Sequence, residues 1–212
     1  MIRLMKKLLI FIVVLVLVFF VYRLVFKKNK DSGEKPVPVA VGKPTAAFDE
    51  SVTQVLNSYY ALTDGFVNWD TAAVTAGAGT LETTLAHLKV DELKKDTVIY
   101  QTVISTLDLA KMNGATIKGS HDWAEQRHAL NDLSANLRTI LLAVKYDKAP
   151  AYWQECPMAF GEGQSGNWLS AKAAIVNPYL GNKDPKFGKT MLNCGETKMT
   201  IDFTKVDSAP VK

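Results

Sequence analysis

Four times between Phe48 and Val144 the apolar residues of this chain recur at alternating spacings of three and four, which commits the middle of the sequence to amphipathic helices. The first stripe is Phe48, Val52, Val55, Tyr59, Leu62 and Phe66, and the second is Val74, Ala78, Leu81, Leu85 and Leu88. A third runs Leu93, Thr97, Tyr100, Ile104 and Leu107, and the most regular runs Trp123, Leu130, Leu133, Leu137, Ile140 and Val144. A helix with one apolar stripe must bury it against a neighbour, and four such helices satisfy one another as an up-down bundle. The short connections Val67 to Asp70 and Lys89 to Asp91 favour antiparallel neighbours, and Gly114 and Gly119 are expected to separate the third helix from the fourth. Gly77 and Gly79 weaken the second helix by roughly 1 kcal/mol each relative to alanine. Close approach of a neighbouring backbone, a kink, or a later helix start would each account for them.

The N-terminal thirty residues have a different character. Leu8 to Phe26 is apolar except for Arg23, and at 1.5 Å per residue it would span about 28 Å, close to the hydrocarbon thickness of a bilayer. Arg23 lies near one end, where its stem can snorkel, with Tyr22 beside it as an interfacial residue. The run continues into YRLVFKKNK rather than an A-x-A cleavage site, so residues 1–26 are expected to be an uncleaved transmembrane anchor that contacts the bilayer through residues 8–26. Basic residues flank it on both sides, so charge alone does not orient it. Residues 27–45, with three prolines and two glycines, read as a linker, residues 46–205 as the folded domain, and residues 206–212 as a disordered tail.

The formal charge of +4 comes from the anchor region. Seven of the 25 basic residues and none of the 21 acidic ones lie in the first thirty positions, so 18 basic face 21 acidic beyond them, a net of −3. That balance, with no recognition motif, excludes a nucleic-acid partner.

After Pro150 the helical period stops and Gly, Pro and Asn alternate with scattered large apolar residues. The expected fold class is therefore all-α: a four-helix up-down bundle with an irregular C-terminal appendage, plus the N-terminal transmembrane helix. Within the appendage Ser170 to Val176 reads as a short helix, and Met199, Ile201 and Phe203 alternate as a strand would. Trp153, Phe160, Trp168 and Tyr179 carry too much apolar surface to stay wet and are expected to pin the appendage to the bundle.

Both cysteines lie in this appendage, each near a methionine, as Cys156-Pro157-Met158 and Met191-Leu192-Asn193-Cys194. Thiolate and thioether sulfurs are soft donors that select Cu(I), so Cys156, Met158, Met191 and Cys194 form a candidate metal site. The alternative is a Cys156–Cys194 disulfide, in which case no cofactor is implied, and the methionines are then core filler. His128 falls on the far face of the fourth helix and reads as a surface residue, becoming a ligand only if the appendage folds over that face. Arg127, beside the inward stripe, is expected to pair with a carbonyl or carboxylate of the appendage.

The run CPMAF…G…WLS…NPYLG…MLNCGE, with the upstream QR…L…LS of Gln126, Arg127, Leu130, Leu133 and Ser134, resembles a bacterial family of domains of unknown function. Members occur alone or fused to periplasmic adaptor proteins of copper and silver efflux pumps. The resemblance covers roughly residues 52–196 and implies a helical bundle, an extracytoplasmic location and heavy-metal handling. Under it Cys156, Met158, Met191 and Cys194 match the sulfur-bearing positions, while Trp168, Asn177, Pro178 and Tyr179 match a structural signature. Glu155 stands where members often carry a histidine, and the further His and Met of the family's helices reduce here to Met112, His121 and His87.

The chain has no nucleophile elbow, phosphate-binding glycine loop, CxxCH haem attachment or CxxC pair, so a non-enzyme is expected. Three readings follow. The first is a single-pass bacterial inner-membrane protein whose periplasmic domain binds a copper-type soft ion for metal handling or efflux. The second is an accessory subunit, clamped by a Cys156–Cys194 disulfide, that docks on a copper-efflux or other membrane complex. The third is a haem held non-covalently between a bundle Met and His.

Overall fold

A computed structural model of the chain describes residues 45–205. They form α1 (Ala46–Val67), α2 (Thr71–Ala86), a short 3-10 helix (Val90–Lys95), α3 (Thr97–Gly119) and α4 (Trp123–Val144), followed by strands β1 (Ala151–Gly161), β2 (Gln164–Ser170) and β3 (Glu196–Ile201). The expected anchor, most of the linker and the tail lie outside the described residues.

Each α-helix starts on a side chain suited to its first orphan N–H groups. Thr45 accepts from Phe48 N, Asp70 from Ala73 N, Asp96 from Ile99 N and Asp122 from Ala124 N. The inward residues of α1, α2 and α4 follow the expected stripes and share one core, with Leu88 buried just past the end of α2 and Trp123 only partly buried. On α3 the buried set is Val103, Thr106, Leu107, Ala110, Gly114 and Ile117, so the stripe lies further along the helix than expected. Leu93 belongs to the 3-10 helix instead. Gly114 does not interrupt α3, which continues until Ser120 turns extended at ψ 145°.

The two glycines of α2 separate cleanly. A Cβ on Gly77 would lie 3.2 Å from Leu62 Cα, so α1 approaches α2 there at backbone range. On Gly79 the nearest atom would be Lys118 Cε at 4.0 Å, and no packing demand explains it.

The all-α expectation is corrected by the segment after Pro150. It builds a three-stranded antiparallel sheet in the order β2-β1-β3, and only the connections around it are irregular. Pro157 and a register shift between Cys156 and Gly161 break the alternation of β1, hiding its period. Residues 171–174 form bends and 175–176 are irregular rather than the expected helix, while the expected strand exists in part as β3, which holds Met199 and Ile201 and ends before Phe203. Ser170 is the last residue of β2 and is tied by side-chain bonds to Lys172.

The sheet packs on the bundle through α4 and α1. Asn131 Oδ1 accepts from Asn167 N at 2.9 Å, the Arg138 guanidinium lies 5.1 Å from the Trp153 ring centre, and the Tyr59 hydroxyl accepts from Leu169 N at 3.1 Å. Burial raises the Tyr59 phenol to about 12, so it stays neutral and keeps both its donor and acceptor roles. The connection Ala171–Gly195 joins one edge strand to the other and so must cross β1.

The expected single-pass inner-membrane anchoring, with the domain in the periplasm, is also corrected: among the described residues no helix is long and apolar enough to cross a membrane. The stretch on which that expectation rested, residues 8–26, lies outside the described residues.

Candidate thiol site

Cys156 sits on the central strand, fully buried, and Cys194 follows a turn in which its N–H donates to Met191 O at 3.0 Å. Gly195 then takes φ 136°, a left-handed value open to glycine, and a Cβ there would lie 2.5 Å from Glu155 O. The chain can therefore press against β1 immediately after Cys194, which brings the two thiols to an Sγ–Sγ distance of 2.8 Å. Both are free thiols. Burial and the adjoining Cys156 sulfur push the Cys194 thiol up, to about 11.

The two methionines are placed differently. Pro157 has no N–H to give a neighbouring strand, and where the register slips both Pro157 and Met158 turn outward, leaving Met158 36 % exposed. Met191 is half-buried against the core. Among the described residues no group of three or more His, Cys, Asp or Glu side chains is arranged to hold a metal.

The histidines occupy other positions. His128 is exposed, and its ring stacks on Phe160 of β1 at 4.0 Å with an interplanar angle of 14°, so the C-terminal segment does fold over its face. His87 Nδ1 lies 2.7 Å from Thr83 O, and His121 is exposed. Met112, on α3, is 65 % exposed. Glu155, where members of the resembled family often have histidine, receives Asn167 Nδ2 at 3.4 Å and lies 4.0 Å from Lys198 Nζ.

The expected structural residues form one connected network. Asn177 is fully buried: its N–H donates to Leu192 O at 2.8 Å, its Nδ2 to Cys194 O at 3.1 Å, and its Oδ1 accepts from Tyr179 N at 2.8 Å. Pro178 is the central residue of this Asx-type turn, a position that needs no N–H. Tyr179 donates its hydroxyl to Asn167 O and meets Trp168 edge-on, with ring centres 6.0 Å apart. Its carbonyl accepts from Arg127 Nη1 at 2.8 Å, and burial lowers the pKa of Arg127.

Three contributors were not singled out from the sequence. Gln154, two residues before Cys156 and fully buried, donates Nε2 to Lys172 O and Ala173 O at 3.1 and 3.2 Å, holding down the start of the crossing segment. Trp69 Nε1 donates to Leu180 O at 2.9 Å, and Asn182 N donates to Val67 O at 2.9 Å. Strand alternation would have placed Gln154 beside Cys156 had β1 been recognised; the Trp69 and Asn182 contacts carry no local signal.

Together these features define a helical-bundle domain backed by a small antiparallel sheet, with a dithiol held between its central strand and a crossing segment. A family model described as "Protein of unknown function (DUF3347)" matches residues 55–148. That match runs from α1 through α4 and stops before β1, so it does not extend over the Cys156–Cys194 segment or to any fusion with adaptor proteins. No curated protein and no solved structure matches the chain.

Proposed function

We propose that this domain is a non-catalytic, thiol-based binding module in which reduced Cys156 and Cys194 together hold a soft ion of the Cu(I) type, for metal handling. The observation that carries the reading is the meeting of the chain's two cysteines at 2.8 Å from positions 38 residues apart. Two thiolates dominate affinity for a soft ion, and thioethers tune it. An ion bonded to both sulfurs at about 2.3 Å under a tetrahedral angle needs them roughly 3.8 Å apart. Cys194 therefore moves out by about 1 Å to admit the ion. That movement is available on its side of the pair, because it lies in a half-buried turn whereas Cys156 is fixed in the sheet.

A second reading is favoured by the same distance. Closing to a disulfide needs the sulfurs near 2.05 Å, a smaller displacement, and the bond would clamp the crossing segment onto β1 in a domain that docks on a partner protein complex. Titration of the reduced and the oxidised protein against a chromophoric Cu(I) chelator separates the two. The metal reading expects one Cu(I) withdrawn by the reduced form and none by the oxidised form. If the reduced form withdraws none, the metal reading is wrong and the clamp reading stands.

A further inference from the structure

Besides the Gln154 bonds at its start and the Tyr179 contacts with Asn167 and Trp168 of β2, the segment Ala171–Gly195 has two further attachments, one to the central strand and one to the bundle. At its C-terminal end Cys194 meets Cys156 of the sheet. In its middle, Asn177 to Asn182 sits on the bundle: Tyr179 O accepts from Arg127 of α4, Leu180 O accepts from Trp69, and Asn182 binds the turn after α1 through its N–H to Val67 O and its Nδ2 to Asn68 Oδ1 at 2.9 Å. Asn177 joins the two places. It donates to the carbonyls of Leu192 and Cys194 on one side, and on the other its carbonyl accepts from Gly181 N at 2.9 Å while its Oδ1 accepts from Tyr179 N. Asn177 is fully buried, so breaking either set of bonds would leave its polar groups without partners inside the core.

We propose that Ala171–Gly195 is a thiol-latched strap, in which closing the Cys156–Cys194 bond strengthens docking of Asn177–Asn182 onto the turn between α1 and α2, and docking in turn favours closing. This rests on the clamp reading, that the pair can be oxidised. Such coupling is reciprocal: whatever free energy the bond adds to docking, docking adds to the bond. The chemistry is thiol–disulfide exchange with a small disulfide such as oxidised glutathione. The more accessible Cys194 thiolate attacks it, forming a mixed disulfide and releasing one glutathione thiolate. Cys156 then attacks the Cys194 sulfur, forming the internal bond and releasing the second, and the two cysteine protons end on the two released thiolates.

The test equilibrates the full chain in glutathione buffers of graded ratio, counts thiols by alkylation and mass, and follows amide hydrogen exchange over residues 177–182. Exchange there is expected to be at least tenfold slower in the oxidised protein. Asn68→Ala removes the exposed partner of Asn182 along with the Asn68 Nδ2 bond to Asp64 O at the end of α1, and Trp69→Phe removes the donor to Leu180 O. Each is expected to shift the oxidation equilibrium three- to tenfold toward the thiols, although neither residue adjoins either cysteine in the chain. Cys156→Ser is expected to abolish the difference in exchange between the oxidising and reducing ends of the buffer series. A pair that oxidises while exchange over 177–182 stays equal, and whose equilibrium neither variant moves, overturns the strap and leaves the clamp reading intact. A pair that keeps two thiols in every buffer overturns both.

Discussion

The hydroxyl of Tyr59 on α1 accepts the backbone N–H of Leu169 on β2 at 3.1 Å and lies 2.6 Å from Ser134 Oγ on α4, so one buried oxygen joins the bundle's first and last helices to the sheet. Ser134 in turn donates to Leu130 O within its own helix, which leaves Tyr59 as donor to Ser134 and acceptor from Leu169. Tyr59→Phe keeps the ring and leaves Leu169 N and Ser134 Oγ short of a partner inside the core. A loss of about 1–3 kcal/mol is expected, read as a lower denaturant midpoint at unchanged slope. A midpoint equal to the wild type would mean that the sheet does not depend on this contact.

The glycines of α2 are expected to respond oppositely to alanine. Gly77→Ala places a methyl 3.2 Å from the Leu62 backbone, and the two helices must part to admit it, with a loss of about 1–3 kcal/mol. Gly79→Ala meets only open space near a flexible lysine end and removes the backbone entropy of glycine, which stabilises by about 0.5–1 kcal/mol. Thermal melts of the two variants against the wild type check both signs.

The pH response of the reduced protein follows from the Cys194 thiol. An ordinary cysteine titrates near about 8.5, whereas here the folded state holds the proton up to about 11. Stability from this group is full below the ordinary value and is lost as pH rises through about 11, because the unfolded chain releases the proton first. The denaturant midpoint of the reduced wild type is expected to fall between pH 8 and pH 10.5 by more than that of Cys194→Ser. Alkylation of Cys194 is expected to keep rising about tenfold per pH unit from pH 8 to 10, since only the thiolate reacts. A rate that levels off near pH 8.5 would show an unperturbed thiol.

Oxidation of the pair closes a loop between positions 38 apart, which by loop-closure entropy stabilises the fold by roughly 4 kcal/mol. Under oxidising conditions Cys156→Ser and Cys194→Ser are each expected to lose a few kcal/mol relative to wild type. Under reducing conditions that gap is expected to narrow sharply.

The helices were legible in the sequence because a period of 3.6 survives whatever packs against it: Phe48 to Phe66 and Trp123 to Val144 show their buried faces in their spacing alone. The strands were not, for reasons visible in particular residues. The residues of β1 that lie under the crossing segment include the polar Gln154, and the next buried position after Cys156 is Ala159, three residues on, so no alternation survives. On β3 every residue but Ile201 is exposed. The turn Gly161-Glu162-Gly163 is a local hairpin signal, but Pro157 in the run before it is a residue that central strands disfavour. In the candidate site the residue types of Cys156 and Cys194 pointed to their meeting. The role of Asn177 depends on partners at Leu192 and Cys194, more than fourteen positions away, which no local pattern announces.

The central claim, that Cys156 and Cys194 act as one soft-ion site, is tested most directly by Cu(I) titration of the reduced chain and four variants against a competing chelator. Serine at either cysteine is expected to abolish tight binding, because a single thiolate remains. Leucine at Met158 or Met191 preserves most of the packing volume and is expected only to weaken binding. One equivalent of Cu(I) held by the wild type and lost in both serine variants is the predicted result. Equal binding by the wild type and the serine variants, or none by the wild type, would contradict the claim.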